Sequence, residues 1–185
     1  DNGGLSTSEG HPTSNLPFRA GKGWLYEGGI REPCIVTTPG GAAGAVCDTP
    51  VTSSDLLPTI LDLCGVAPDA DHPLDGRSIR ALLHEPGRRS VPRDLHWHYP
   101  HYGNQGGAPS GAIRSGDLKL IEWFEDGRLE LFDLAADPGE SVDLAAERPD
   151  DVRRLAAALA GWRLGIDAVM PRSNPEHEPP AAAND

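Results

Sequence analysis

No apolar stretch in this chain approaches the roughly 20 residues that a membrane-spanning helix needs, so no membrane span is expected within it. Basic residues are scarce. Sixteen Lys and Arg stand against 28 Asp and Glu, giving a formal net charge of -12. A phosphate-backbone partner needs a basic surface, which argues against nucleic acid. An anionic small substrate stays open, because a local basic pocket can sit in an acidic protein. The N-terminal Asp1-Asn2-Gly3-Gly4 has neither the basic start nor the apolar core of a signal peptide. Compartment is left open: a periplasmic or secreted location would follow from a signal peptide upstream. Cysteine is sparse as well. Cys34, Cys47 and Cys64 cannot all pair with one another, and apolar neighbours such as Pro33-Cys34-Ile35-Val36 point to buried thiols rather than a disulfide framework.

Glycine and proline are plentiful, at 22 and 18 residues, so turns and loops should be frequent. The hydrophobic fraction of 38% is enough for a packed core, and 185 residues fit one domain or one domain plus part of another. Residues 1–32 read as glycine-rich loop. Cys34–Thr38 is a short apolar, β-branched run closed by Pro39-Gly40, which predicts a buried strand. Ser53-Ser54-Asp55 opens a helix whose Leu56, Leu57, Ile60, Leu61 and Cys64 recur at helical spacing until Gly65. A short helix is expected over Ser78–Leu83.

The composition shifts near Glu85-Pro86-Gly87, which suggests three stretches: 1–85, 86–170 and a flexible tail over 171–185. In the second stretch, Ala112–Ser115 and Leu118–Phe124 flank a Gly116-Asp117 turn. Asp126-Gly127 then separates Leu118–Phe124 from Arg128–Leu134, a hairpin signal because such turns need positive φ. Pro149 starts a helix, with Asp150 and Asp151 favourable to its N-terminal dipole. Val152, Leu155, Leu159, Trp162 and Ile166 form its apolar stripe, which should pack on one face of the small sheet.

Four clusters invite a chemical reading. Asp1-Asn2 pairs a carboxylate with an amide oxygen, both hard ligands suited to Ca²⁺ or Mg²⁺; Asp-Asn-Gly-Gly is equally good turn chemistry. In Arg19-Ala20-Gly21-Lys22-Gly23 the ammonium of Lys22 sits on an unobstructed loop, able to reach an anion. This is no P-loop, which requires Ser or Thr after the lysine and an earlier glycine at fixed spacing. Within Tyr26-Glu27-Gly28-Gly29-Ile30-Arg31-Glu32-Pro33, Glu27 and Arg31 can pair and brace the loop as scaffold. Finally, His96-Trp97-His98-Tyr99-Pro100-His101-Tyr102 offers imidazoles and aromatics. His98 and His101 are candidates for contacting a sugar or aryl group, against the alternative of a strand end with part-buried imidazoles. Zinc is not favoured, since no cysteine lies near.

The order and spacing of these segments resemble the sulfatase family of the alkaline phosphatase superfamily. The resemblance runs on through Ser54-Asp55-Leu56-Leu57-Pro58-Thr59, Asp75-Gly76-Arg77-Ser78, Lys119-Leu120-Ile121, Glu130-Leu131-Phe132-Asp133-Leu134 and Asp137-Pro138-Gly139-Glu140, to about residue 165. It implies an α/β fold: the C-terminal part of an alkaline-phosphatase-like sulfatase domain, followed by a small α+β subdomain of antiparallel sheet plus packed helix. It also implies sulfate ester hydrolysis, of aryl or carbohydrate sulfates. Asp1 and Asn2 would be ligands of one Ca²⁺ ion whose other ligands lie upstream, and Lys22 would contact the sulfate. The family's nucleophile is a formylglycine made from Cys or Ser in a Cys/Ser-x-Pro/Ala-x-Arg motif. None of the three cysteines has arginine four residues on. The resemblance therefore implies a longer parent chain, with these 185 residues inactive alone. The nearest enzymatic alternative is a phosphonate or phosphate ester hydrolase of the same superfamily. Asn2 speaks against it, because an amide oxygen favours Ca²⁺ where the imidazole of such relatives favours Zn²⁺ or Mn²⁺. The alternative from another class is a non-catalytic carbohydrate-binding module using Trp97–Tyr102. The number of subunits is left open.

Overall fold

The computed structural model describes residues 2–7, 12–88, 90–172 and 174–175. The chain divides into two compact units, one made of Asp1–Glu32 with Arg93–Asp185, the other of Pro33–Pro92. The compositional break at Glu85-Pro86-Gly87 lies shortly before the second of these crossings. The first, at Glu32-Pro33, carries no compositional mark.

The first unit is built on four antiparallel strands in sequential order: β1 (Asp94–Tyr99), β2 (Ser110–Ser115), β3 (Leu118–Trp123) and β4 (Leu129–Asp133). The β2–β3 turn is the expected two-residue Gly116-Asp117, with Gly116 at φ +62°. Register sorts the side chains into two faces. Trp97, Ala112, Ile121 and Glu130 lie in one cross-strand row; His96, Ile113, Leu120 and Leu131 lie in the other. The second face packs against α4 (Pro149–Gly165), whose Leu155 and Leu159 are fully buried against Ile113, Leu120 and Leu131. Val152 and Trp162 complete that contact as the helical spacing requires. Ile166 lies just past the helix end and is exposed.

The other face is covered too, which the sequence pattern did not announce. Leu25 and Tyr26 from the glycine-rich segment join Ala112, Ile121, Trp123, Phe132 and Leu134 in a second core. The sheet is thus buried on both sides, and β2, β3 and β4 carry short runs of consecutive buried residues rather than strict alternation. The outer edge of β4 is also occupied. Leu131 N donates to Asp143 Oδ1 at 2.9 Å, Leu144 N to Leu131 O at 2.8 Å, and Asp137 N to Asp133 O at 2.8 Å.

The second unit holds a single 3₁₀ turn (Ser53–Asp55), α2 (Leu56–Leu63) and α3 (Arg80–His84). Asp55 is its hub. Fully buried, it accepts from Thr52 N at 2.8 Å and from Arg77 N at 2.9 Å. Thr59 Oγ1 donates to Asp55 O at 2.6 Å and accepts from Ile79 N at 3.0 Å. The Ser54–Thr59 and Asp75–Ser78 segments are therefore two halves of one polar clasp.

Two expectations fail in this unit. Cys34–Thr38 is not a strand: it has no ladder partner, and Ile35 is 92% exposed. All three cysteines are exposed rather than buried. The reason is common to both. An apolar run states a preference for burial, and among the described residues no neighbouring element covers it. The expected flexible tail over 171–185 falls mostly on residues outside those described.

Candidate functional site

Close backbone packing organises the glycine-rich segment. Gly3 N donates to Gly29 O at 3.1 Å, Gly28 N to Arg19 O at 2.9 Å, and Lys22 N to Gly4 O at 3.2 Å. A Cβ on Gly3 would overlap the carbonyl oxygen of Gly28, and a Cβ on Gly28 would overlap that of Arg19. Glycine at these positions lets three stretches of main chain touch. The result joins the segments the sequence singled out: the main chain of Lys22 is bonded to Gly4, two residues from Asn2, and the neighbouring Gly3 and Arg19 are bonded to Gly29 and Gly28 of α1 (Glu27–Ile30). Asp1, the other expected metal ligand, lies outside the described residues. Asn2 is exposed and Lys22 half-buried.

Beneath this cradle lies a charged cluster. Lys119 Nζ, on β3, is fully buried at 2.9 Å from Glu27 Oε1 and 2.8 Å from Glu140 Oε1. Glu27 N donates to Glu140 Oε2 at 2.5 Å, and Arg19 Nη1 donates to Glu140 O at 3.0 Å. Burial pushes the Glu140 carboxyl above the usual range, opposed by Lys119. The expected Glu27–Arg31 pairing exists at 3.7 Å, with Arg114 on the same carboxylate at 3.9 Å. A second polar knot fixes Tyr26. Its hydroxyl donates to Glu130 Oε2 at 2.6 Å, Trp123 Nε1 donates to the same oxygen at 3.0 Å, and Arg128 pairs with Glu130. Arg19 lies 3.9 Å over the Tyr26 ring. Burial, reinforced by Glu130, holds the Tyr26 hydroxyl well above the usual tyrosine range.

One further loop reaches the cradle. Trp24 Nε1 and Thr7 Oγ1 both donate to Gln105 O, the first at 3.2 Å, and Gly107 packs against the Gly23 carbonyl. The Gly103–Gly107 loop therefore borders Gly23, next to Lys22. His101 lies two residues before that loop, exposed, with its ring 5.6 Å from Tyr99. His98 is placed differently. It shares the α4-covered face with His96, packs against Phe124 at 5.5 Å, and its Nε2 donates to Val169 O at 2.8 Å. The structure does not bring His98 to Lys22, since the glycine-rich segment covers the opposite face.

Sequence reasoning missed Lys119, Glu130, Glu140 and the Gln105 contact. Glu27 and Lys119 are 92 positions apart, and Tyr26 and Glu130 are 104 apart, so no local pattern links them.

The amide oxygen of Asn2 is the kind of hard donor a calcium ion takes, and Gly3, which follows it, packs against the carbonyl oxygen of Gly28.

The family model described as "N-sulphoglucosamine sulphohydrolase, C-terminal" matches residues 20–160. A "Sulfatase" of Formosa agariphila is 36% identical over 184 residues, covering 91% of this chain and 32% of that protein. Human arylsulfatase A is 34% identical, covering 83% of this chain and 34% of its own length. The chain thus spans about a third of the length of these relatives. Among solved structures, one in complex with its substrate D-glucosamine-2-N,6-O-disulfate superimposes with TM-score 0.53 at 27% identity, covering 63% of this chain and 24% of that one. A phosphonate monoester hydrolase from Silicibacter pomeroyi superimposes with TM-score 0.50 at 27% identity, covering 70% and 28%.

Proposed function

The chain belongs to the sulfatase family, and on that premise we propose that the full-length protein is a sulfuric ester hydrolase to which these residues contribute the sulfate-holding side of the active site. Lys22 holds a sulfate oxygen, Asn2 with Asp1 supplies two oxygens to a calcium ion, and His101 borders the substrate group beyond the sulfate. The observation that supports this reading is the glycine cradle, in which Lys22 N bonds Gly4 O, two residues from Asn2 in the chain.

The chemistry follows from charge. Sulfate ester cleavage concentrates negative charge on the bridging and non-bridging oxygens. A fixed ammonium at Lys22 stabilises that charge more in the transition state than in the ground state. When bound, calcium adds Lewis-acid polarisation of the sulfate. Asn2 selects a hard cation for that role, since an amide oxygen favours calcium over zinc. The nucleophile, a formylglycine in this family, has no cysteine motif here; the one match to Cys/Ser-x-Pro/Ala-x-Arg is Ser110-Gly111-Ala112-Ile113-Arg114, which runs along strand β2 with Ser110 buried and its Oγ donating to Ala108 O at 3.1 Å. The substrate is a sulfate ester of a sugar or an aryl alcohol. The relative bound to a sulfated glucosamine supports the sugar.

In the full-length protein, Lys22→Ala is expected to lower kcat by about 10²–10³-fold, or about 3–4 kcal/mol. Its stability should change by no more than about 0.5 kcal/mol, because Lys22 is half-buried on a loop. Lys22→Arg should recover only part of the loss, since a planar fork replaces a compact charge. Steady-state kinetics beside a thermal melt decide it: unchanged kcat at saturating substrate removes Lys22 from the site. The structural likeness to a phosphonate monoester hydrolase makes phosphonate cleavage the second reading, favoured instead if purified protein turns over an aryl phosphonate faster than an aryl sulfate.

A further inference from the structure

A buried Lys119 between two buried carboxylates is poorly explained by stability alone. Apolar residues of similar volume usually hold a core as well or better, because removing charges from water costs more than their attraction returns. What an ion cluster supplies is direction: three elements must meet at fixed atoms. Here they are β3 through Lys119, α1 through Glu27, and the loop after β4 through Glu140. Glu140 sits at φ +52°, a left-handed conformation that a residue with a side chain keeps only when its surroundings impose it. Its side chain and its carbonyl both serve the glycine-rich segment, the first through Glu27 N and the second through Arg19 Nη1.

From Glu27 the path to the site is short. Gly28 and Gly29 follow it in the chain, and these hold Arg19 and Gly3 by backbone hydrogen bonds; Gly4 in turn holds Lys22. The cradle has no slack, because the main chains already touch where any Cβ would overlap. In so dense a region a displacement of Glu27 is passed on rather than absorbed.

We propose that Lys119, with Glu27 and Glu140, is a positioning device for the active site, setting where Asn2 and Lys22 stand relative to one another. It rests on the reading of Asn2 as a calcium ligand and Lys22 as a sulfate contact. Neither Lys119 nor the two glutamates touches substrate.

The test uses the full-length protein, with calcium binding followed by isothermal titration and 4-nitrophenyl sulfate as substrate. Glu140→Gln keeps the side-chain volume and the acceptor for Glu27 N, and Lys119→Arg keeps the charge, so both should fold. Each is expected to weaken calcium binding about fivefold or more and to lower kcat about tenfold or more, measured well below its melting temperature. Glu122→Gln is the control. It breaks the 2.7 Å Arg163–Glu122 ion pair on the other sheet face, which does not lead to the cradle. It should lower the melting temperature while leaving calcium affinity and kcat unchanged. If folded Glu140→Gln and Lys119→Arg bind calcium and turn over substrate as the wild type does, the cluster is only structural and the proposal is overturned. The proposal is also overturned if Glu122→Gln shows the same losses, since any weakening of the sheet would then suffice. If the wild type itself neither binds calcium nor hydrolyses the aryl sulfate, the underlying reading falls first and takes this one with it.

Discussion

The two units use their apolar residues in opposite ways. Around the sheet, Ile113, Leu120, Leu131, Leu155 and Leu159 are fully buried, and Lys119 and Glu140 are buried with them. In Pro33–Pro92, Leu56, Leu57 and Ile60 of α2 are 47%, 53% and 56% exposed, and among the described residues there the buried apolar side chains are Pro58 and Leu82. What holds that unit is mainly the Asp55–Thr59–Arg77 clasp. Apolar residues recur at helical spacing in both α2 and α4, so periodicity reports which face is apolar and not whether this chain covers it.

The largest expected effect follows directly. In the 185-residue chain, Leu131→Ala should destabilise the sheet unit by about 2–5 kcal/mol, through lost transfer energy and a cavity. Leu57→Ala, half-exposed already, should change stability by no more than about 0.5 kcal/mol. Urea unfolding followed by circular dichroism compares the two; equal losses would erase the contrast. A second measure is chemical. Cys34, Cys47 and Cys64 all lie in Pro33–Pro92 and are exposed, so a thiol reagent should titrate three equivalents without denaturant. A fraction that reacts only after urea is added would show that this unit is better packed than described.

What was legible in the sequence was local. The Gly116-Asp117 turn, the strands around it and the α4 stripe depend on residues a few positions apart, and all stand where expected except Ile166, which falls beyond the helix end. The Glu27–Arg31 brace is likewise local, at i, i+4. The buried partners were not legible, because Lys119 meets Glu27 and Glu140 only after the sheet has formed. Cys34–Thr38 misled for the opposite reason: it has the composition of a core strand with no ladder partner among the described residues. Of the proposed site, what the sequence made legible was the set of segments that meet, Gly3-Gly4, Arg19–Lys22 and Gly28-Gly29, through their glycines. Its geometry was not, since the close main-chain approaches leave no mark in composition beyond the glycines themselves.

The smallest expected effect concerns the helix-covered face. His96 stacks on Trp162 at 4.7 Å, and burial depresses its imidazole below the usual histidine range. With the folded value lowered, the unfolded chain binds more protons between the two values. Stability should therefore be level above about pH 6.5 and decline gently as pH falls through the depressed folded value. Melting temperatures across that range should show the decline, and His96→Phe should flatten it. A steeper fall in the variant than in the wild type would mean that other groups dominate the acid response.

The bonds along the outer side of β4 have a consequence for assembly. An exposed strand edge is a template: its free amides and carbonyls invite a foreign strand to extend the sheet. Here Leu131 offers neither its N–H nor its carbonyl, and the Asp133 carbonyl is taken by Asp137. The segment that seals this edge includes Asp137, Asp143 and Leu144, from the same stretch of chain that delivers Glu140 to the buried lysine. A strand from a misfolded neighbour approaching on that side would have to strip the closing loop first, and would loosen the Lys119 cluster in doing so.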